Sequence, residues 1–250
     1  MASMPDARPA RSAPSPVHPP QRDRALVAAS GATRRDPARG LTLLAPTDFT
    51  LHEGDRAVIT GPSGSGKSVF LRALALLDPI DGGRILWRGE PVRRARIPDY
   101  RRRVAYIAQR PAMLDGSVED NLRYPFELKV YRDARFDRDA AARLAAAAGR
   151  GGDFLSKRAG DLSGGEAQIA ALIRVLQLAP DVLLLDEPTA SLDPASAREI
   201  EALVAAWFAQ DASRASIWVS HDPQQAGRVG ARQLTMTAGT LAEPAEGGTQ

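Results

Sequence analysis

The chain has 250 residues, a formal net charge of +3 at pH 7, three histidines and no cysteine. That length can bury one large core, or a core with a subdomain, and the small charge gives no reason to expect a nucleic-acid partner. The lack of cysteine excludes disulfide frameworks, thiolate zinc sites and iron–sulfur clusters, and it agrees with a reducing cytoplasm.

Residues 1–24 are rich in Pro, Ala, Arg and Ser and lack the apolar stretch of a secretory signal. A disordered tail is expected there, with a contact to anionic lipid or a partner through Arg8, Arg11, Arg22 and Arg24 as the alternative. Residues 25–51 and 84–92 read as short strands with turns, a small β layer beside a core. An apolar strand over 56–60 runs into Gly61-Pro-Ser-Gly-Ser-Gly-Lys-Ser68, and the helical pattern of 69–77 follows. A second apolar run, 104–108, stops at Gln109. Residues 111–159 change character: Ser117 begins a cap-like Ser-Val-Glu-Asp, and an Ala-rich stretch over 138–148 stops at Gly149–Gly152. They read as a mostly helical insertion, part of a subdomain over about 111–178. Two more apolar strands follow, one ending at Asp186-Glu187 and one at His221. Residues 243–250 read as a frayed end. No run reaches the roughly 18 apolar residues of a membrane helix; the longest carry Arg72 or Arg174.

Continuous apolar strands separated by helices predict a parallel sheet covered on both faces. Such sheets bind ligands beyond the carboxyl ends of their strands. The glycine loop, Gln109, Asp186-Glu187 and His221 all fall there. Gly61, Pro62, Ser63, Gly64, Ser65, Gly66, Lys67 and Ser68 match the phosphate-binding pattern G-x-x-x-x-G-K-[ST] between a strand and a helix. Its glycines admit backbone N–H groups to the anion, and the helix start adds a favourable field. Lys67 is expected on the β/γ-phosphates and Ser68 on Mg²⁺. Asp186, closing an apolar strand, is the expected second Mg²⁺ ligand, with Glu187 as base or water-positioner.

Leu162-Ser163-Gly164-Gly165-Glu166 stands before a helix whose apolar face is Ile169, Leu172, Ile173 and Leu176. This second helix-start anion site has no use for a single nucleotide. It resembles the signature of the ABC ATPase family, usually L-S-G-G-Q. The resemblance covers about 25–242. It implies an α/β fold: a P-loop NTPase (RecA-like) parallel-sheet core, a small antiparallel β layer and a helical signature subdomain. It implies ATP and Mg²⁺ as cofactors, and a head-to-tail homodimer with two ATPs at the seam. Each site would combine Lys67, Ser68, Gln109, Asp186, Glu187 and His221 of one copy with Ser163 and Gly165 of the other. Glu187, His221 and Gln109 take catalytic roles, and Gln109 also reaches Mg²⁺. Val69, Gly164 and Glu166 join the nucleotide contacts. Asp193, in Ala190-Ser-Leu-Asp193, lies at the dimer seam, though before Pro194 it is also a standard helix start.

The resemblance further implies a separately encoded, multi-helix membrane permease, with this chain peripheral on the cytoplasmic face. Residues 100–109, Asp120-Asn-Leu122, 162–166 and 172–177 are similar to the ATPase of the Fet-type bacterial iron exporter, which makes iron export the expected cargo reading by analogy. Soluble translation relatives carry two ATPase domains and DNA-repair relatives long coiled coils. One P-loop, one signature and no heptads argue against both. Glu187 and His221 argue against a module that binds without turnover. Two features depart from the family. Residues 25–48 hold no aromatic to stack on adenine, leaving Arg34, Arg35 or Phe49 as substitutes. Ala167 and Ile169 replace polar residues after the signature, a change expected to tune its charge.

Overall fold

The computed structural model describes residues 24–243; apart from Arg24 and Glu243, the expected tail and frayed end lie outside the described residues. In chain order the first half comprises β1 (Ala25–Arg35), β2 (Thr42–His52), β3 (Arg56–Thr60), α1 (Lys67–Leu74), β4 (Gly82–Trp87), β5 (Glu90–Pro91), α2 (Ile97–Arg103) and β6 (Val104–Ile107). The second comprises α3 (Val118–Arg123), α4 (Arg138–Ala147), α5 (Gly164–Leu176), β7 (Val182–Asp186), α6 (Pro194–Ala209), β8 (Ala215–Val219), α7 (Pro223–Val229), β9 (Arg232–Thr237) and β10 (Thr240–Ala242).

Two sheets form, with strand orders β2-β1-β4-β5 and β10-β9-β3-β8-β7-β6. The first is antiparallel. In the second, β9, β3, β8, β7 and β6 run parallel and only β10 reverses. The period of two along each apolar strand divides its side chains between two cores. Ala57, Ile59, Val182, Leu184, Ile217 and Val219 share one core with Phe70, Leu71 and Leu74 of α1 and with the antiparallel sheet. Val58, Leu183, Leu185 and Trp218 share the other with Ile169 and Ile173 of α5 and with Ile200, Leu203 and Trp207 of α6. Full burial of each Leu or Ile contributes ~1.5–3 kcal/mol over exposure, so residues 182–186 must lie centrally. This is the α/β architecture expected.

The region after Gln109 is less helical than its composition predicts. Ser117 caps α3 with a reciprocal box, Asp120 N–H donating to Ser117 Oγ and Ser117 N–H to Asp120 Oδ2. Pro125 lacks the N–H an α-helix needs, and short 3₁₀ turns at Tyr124–Glu127 and Lys129–Tyr131 follow instead of a longer helix. Helices α2 and α7 and strands β9 and β10 have no counterpart among the elements that the sequence predicts. Residues 234–237 alternate buried and exposed behind two half-buried residues, so no continuous apolar run marks β9, although it pairs directly with β3.

Candidate functional site

The loop after β3 is shaped by positions only glycine can hold. Gly61 has φ +138°, and a Cβ there would lie 2.1 Å from the Met236 carbonyl oxygen. Gly66 has φ +105°, with the Leu43 carbonyl 2.7 Å from its would-be Cβ. Gly66 is also the residue before α1 and supplies no side-chain cap, so the first N–H groups of that helix remain free for an anion. Ser65 Oγ is buried without a hydrogen-bond partner, a donor awaiting an acceptor. Lys67, 4% exposed, folds back over the loop and donates from Nζ to the carbonyls of Gly61 and Pro62, 2.9 Å each. Pro62, Ser63 and Gly64 are exposed and Val69 is half-buried.

The ends of β7 and β8 meet this loop. Ser68 Oγ donates to Asp186 Oδ1 at 2.9 Å, and Tyr106 Oη donates to Asp186 Oδ2 at 2.7 Å. Tyr106 pairs with Leu184 across β6 and β7, so its hydroxyl reaches the residue two further along the same face. Burial, then the bond to Asp186, pushes the tyrosine pKa well above its usual value. Glu187 follows with φ +49°, a strained conformation for a residue with a side chain. Its Oε1 lies 2.6 Å from His221 Nε2 and 3.9 Å from Lys67 Nζ. The structure thus brings together Lys67, Ser68, Asp186, Glu187 and His221. Gln109, just beyond β6, is exposed, and its side chain makes no hydrogen bond among the described residues.

The arrangement fits a magnesium nucleotide. Ser68 and Asp186 offer hard oxygens. No group of three or more His, Cys, Asp or Glu that could hold a metal occurs among the described residues. Lys67, the free amides and Ser65 Oγ supply the phosphate donors.

Ser163, Gly164, Gly165 and Glu166 lie at the start of α5. Ser163 starts α5 in a capping box: Glu166 N–H donates to Ser163 Oγ, and Ser163 N–H donates to Glu166 Oε2. Lys157 Nζ lies 2.8 Å from Glu166 Oε1, and this bond, with the Ser163 amide, holds the carboxyl below its usual range. Gly165 is buried, and a Cβ on it would stand 2.9 Å from Ser196 Oγ at the start of α6. Asp193 caps α6, accepting from the amides of Ala195 and Ser196. No hydrogen bond or ion pair among the described residues joins Ser163 or Glu166 to the β3–α1 loop of the same chain.

Several expectations about neighbouring residues change. Phe49 is 5% exposed and meets Phe70 edge-on, with the Arg232 guanidinium over its ring, so it offers no face to a base. Arg34 is drawn to Asp81 at 3.2 Å. Arg35 is exposed. Ile169 is fully buried in a core and cannot tune the charge of the signature.

Three residues were not read from the sequence. They are Tyr106, Gln168, whose Nε2 donates to Ala108 O beside Gln109, and Gln225, which binds the loops after β7 and β8. A polar side chain inside an otherwise apolar run was the one available signal, and only Tyr106 and Gln168 carried it.

Residues 44–190 match the family described as "ABC transporter". The rice protein STAR1 (Oryza sativa subsp. japonica) is 38% identical over 215 residues, covering 85% of this chain and 60% of that protein, so the chain spans less than two thirds of it. The probable iron export ATP-binding protein FetA of Escherichia coli (strain K12) is 36% identical over 179 residues, 71% of this chain and 77% of that one. Relatives of similar identity also bear names of anion, nickel and phosphate import. Among solved structures, cbiO1 from Clostridium perfringens, part of the ABC transporter complex cbiONQ, superposes with a TM-score of 0.74. It is 23% identical, with 88% of each chain covered, and so speaks for the fold alone.

Proposed function

The chain belongs to the ABC transporter family as an ATP-binding subunit, and from that premise we propose how its residues divide the chemistry. It is an ATPase that uses ATP with Mg²⁺. Gly61–Ser68 hold the triphosphate, with Lys67 countering its charge and Val69 completing the first turn against it. Ser68, Asp186 and Gln109 hold Mg²⁺, which when bound offsets charge on the phosphoryl oxygens. Glu187 accepts the proton of the attacking water, and His221 steadies the carboxylate through its 2.6 Å contact while facing the γ-phosphate. The observation that carries this reading is that convergence: one glutamate oxygen between His221 and Lys67, beside the Ser68–Asp186 pair.

The second half of each site comes from another copy. Ser163 and Gly164 are exposed at the start of α5 and bond to nothing in their own chain's phosphate loop. Two copies therefore close head to tail, Ser163, Gly164, Gly165 and Glu166 of one on the γ-phosphate held by the other, with Asp193 at the seam. Among the described residues no helix is long and apolar enough to cross a membrane. A separately encoded permease supplies the passage and holds this subunit to the inner face. The cargo reading is iron export, supported by the 36% identity with FetA.

The test is Glu187→Gln. General-base assistance is typically worth about 10²–10⁴-fold in rate, so turnover should fall by that order while ATP binding persists and a nucleotide-bound dimer accumulates on size exclusion. Near wild-type hydrolysis would remove Glu187 from its role. For the cargo, deleting the gene should raise cellular iron; unchanged metal content would dismiss iron.

A further inference from the structure

Behind Glu187 and His221 lies a polar cluster that hydrolysis itself does not use. Gln225, on α7, is 5% exposed, and Ser220, the last residue before His221, is 3% exposed. The Gln225 amide is fully engaged. Its Oε1 accepts from Ser220 Oγ at 2.8 Å. Its Nε2 donates to Thr189 Oγ1 at 2.9 Å and to Glu201 Oε1 at 2.8 Å. Glu201, on α6, is itself held by Arg228 through Nε at 3.0 Å and Nη2 at 2.9 Å.

Each arm leads back to the site. Thr189 is two residues past Glu187, and Ser220 is adjacent to His221. The two loops leave neighbouring strands β7 and β8, but the ladder ends at Asp186 and Val219, and beyond it backbone pairing no longer fixes their spacing. Glu187 moreover sits at φ +49°, which persists only where the surroundings over-determine it. One acceptor and two donors on a flat group are what the three partners demand, and a side-chain amide offers them.

We propose that Gln225 is a positioning residue for hydrolysis: its amide clamps the loop carrying Glu187 to the loop carrying His221, and so keeps the two side chains in contact. This rests on the roles assigned above to Glu187 and His221. It assigns part of the rate to a buried residue outside the phosphate loop, whose hydrogen bonds go to Ser220, Thr189 and Glu201. Nucleotide binding, which depends on Gly61–Ser68, stands outside it.

The experiment uses the full chain and compares wild type with Gln225→Leu, Thr189→Val, Ser220→Ala and the Thr189→Val/Ser220→Ala pair. Measured are kcat and KM for ATP, ATP affinity without turnover, and the melting midpoint. Misplacement of reacting groups by about 1 Å can cost on the order of 10²-fold. Gln225→Leu should therefore lower kcat roughly tenfold to a hundredfold and leave KM and ATP affinity within about twofold. The paired variant should fall no further than Gln225→Leu, because parts of one clamp act as a unit. If Gln225→Leu fails to fold, the single Thr189 and Ser220 variants carry the same test, each with reduced kcat at constant KM. Wild-type kcat in these variants, or affinity and kcat declining in step, overturns the clamp. Glu187→Gln and His221→Ala are run alongside. If those two lose turnover and the clamp variants do not, only this inference fails; if those two retain it, the assigned roles fail and the clamp falls with them.

Discussion

Tyr106→Phe isolates one hydrogen bond at the centre of the site. The substitution keeps the ring among its apolar neighbours and removes only the hydroxyl that donates to Asp186 Oδ2 at 2.7 Å. Asp186 is 4% exposed, so water cannot readily replace the lost donor, and Ser68 still serves only the other oxygen. Because burial and Asp186 hold the tyrosine pKa well above its usual value, the hydroxyl is a neutral donor across any ordinary assay range, and the change alters no charge. A hydrogen bond to a charged acceptor is worth about 1.5–3 kcal/mol. At about 2–4 °C per kcal/mol for a domain of this size, the nucleotide-free protein should melt roughly 3–12 °C lower. Thermal unfolding followed by circular dichroism measures this directly. A midpoint within 1 °C of wild type, on the order of a quarter of a kcal/mol, would mean that the Tyr106–Asp186 bond does not hold the site.

Base recognition should be weak. Stacking on an aromatic is worth about 1–3 kcal/mol, roughly tenfold to a hundredfold in affinity. Residues 25–48 offer no ring, Phe49 is buried and Arg34 is on Asp81. ATP and GTP affinities should therefore lie within about tenfold of each other, with Arg35→Ala lowering both and Arg34→Ala acting on the melting midpoint; strong adenine preference untouched by Arg35→Ala would dismiss this. Acid stability should depend on Asp78, whose carboxyl is held below its usual range by bidentate hydrogen bonds from Arg72, 2.8 Å each. A depressed carboxyl pKa stabilises the fold above its unfolded value and loses that contribution as pH falls through the folded one. Wild type should exceed Asp78→Asn in urea denaturation at pH 7, and the gap should close as the pH is taken below about 4; an unchanged gap at low pH would reject the pairing as its cause.

Much of the site was legible because its demands are local. Gly61 and Gly66 answer to backbone conformation and close approach, Lys67 and Ser68 follow at fixed spacing on a helix start, and the signature announces itself as Ser163 capping α5 with Glu166 three residues on. The central strands were legible for a related reason: burial on both faces forces a continuous apolar run, as in residues 182–185. Where burial is one-sided or the helix short, that signal fades, as it does for β9, β10, α2 and α7.

Partners distant in sequence were another matter. Nothing near Tyr106 indicates that its hydroxyl meets Asp186, since that follows from β6 lying beside β7 in a particular register. Arg34 and Phe49 looked equally available to a base until tertiary packing placed one on Asp81 and the other against Phe70. Gln225 became visible only when α6, α7 and the ends of β7 and β8 stood together. The sequence by itself determined the fold class and the phosphate loop, because repeating burial and glycine geometry are written residue by residue, and the family followed from the resemblance of residues 162–166 to a known signature. Only the tertiary structure decided which polar side chains steady Asp186, Glu187 and His221, because a hydrogen bond needs both partners within about 3 Å, and the order of strands and helices alone brings them there.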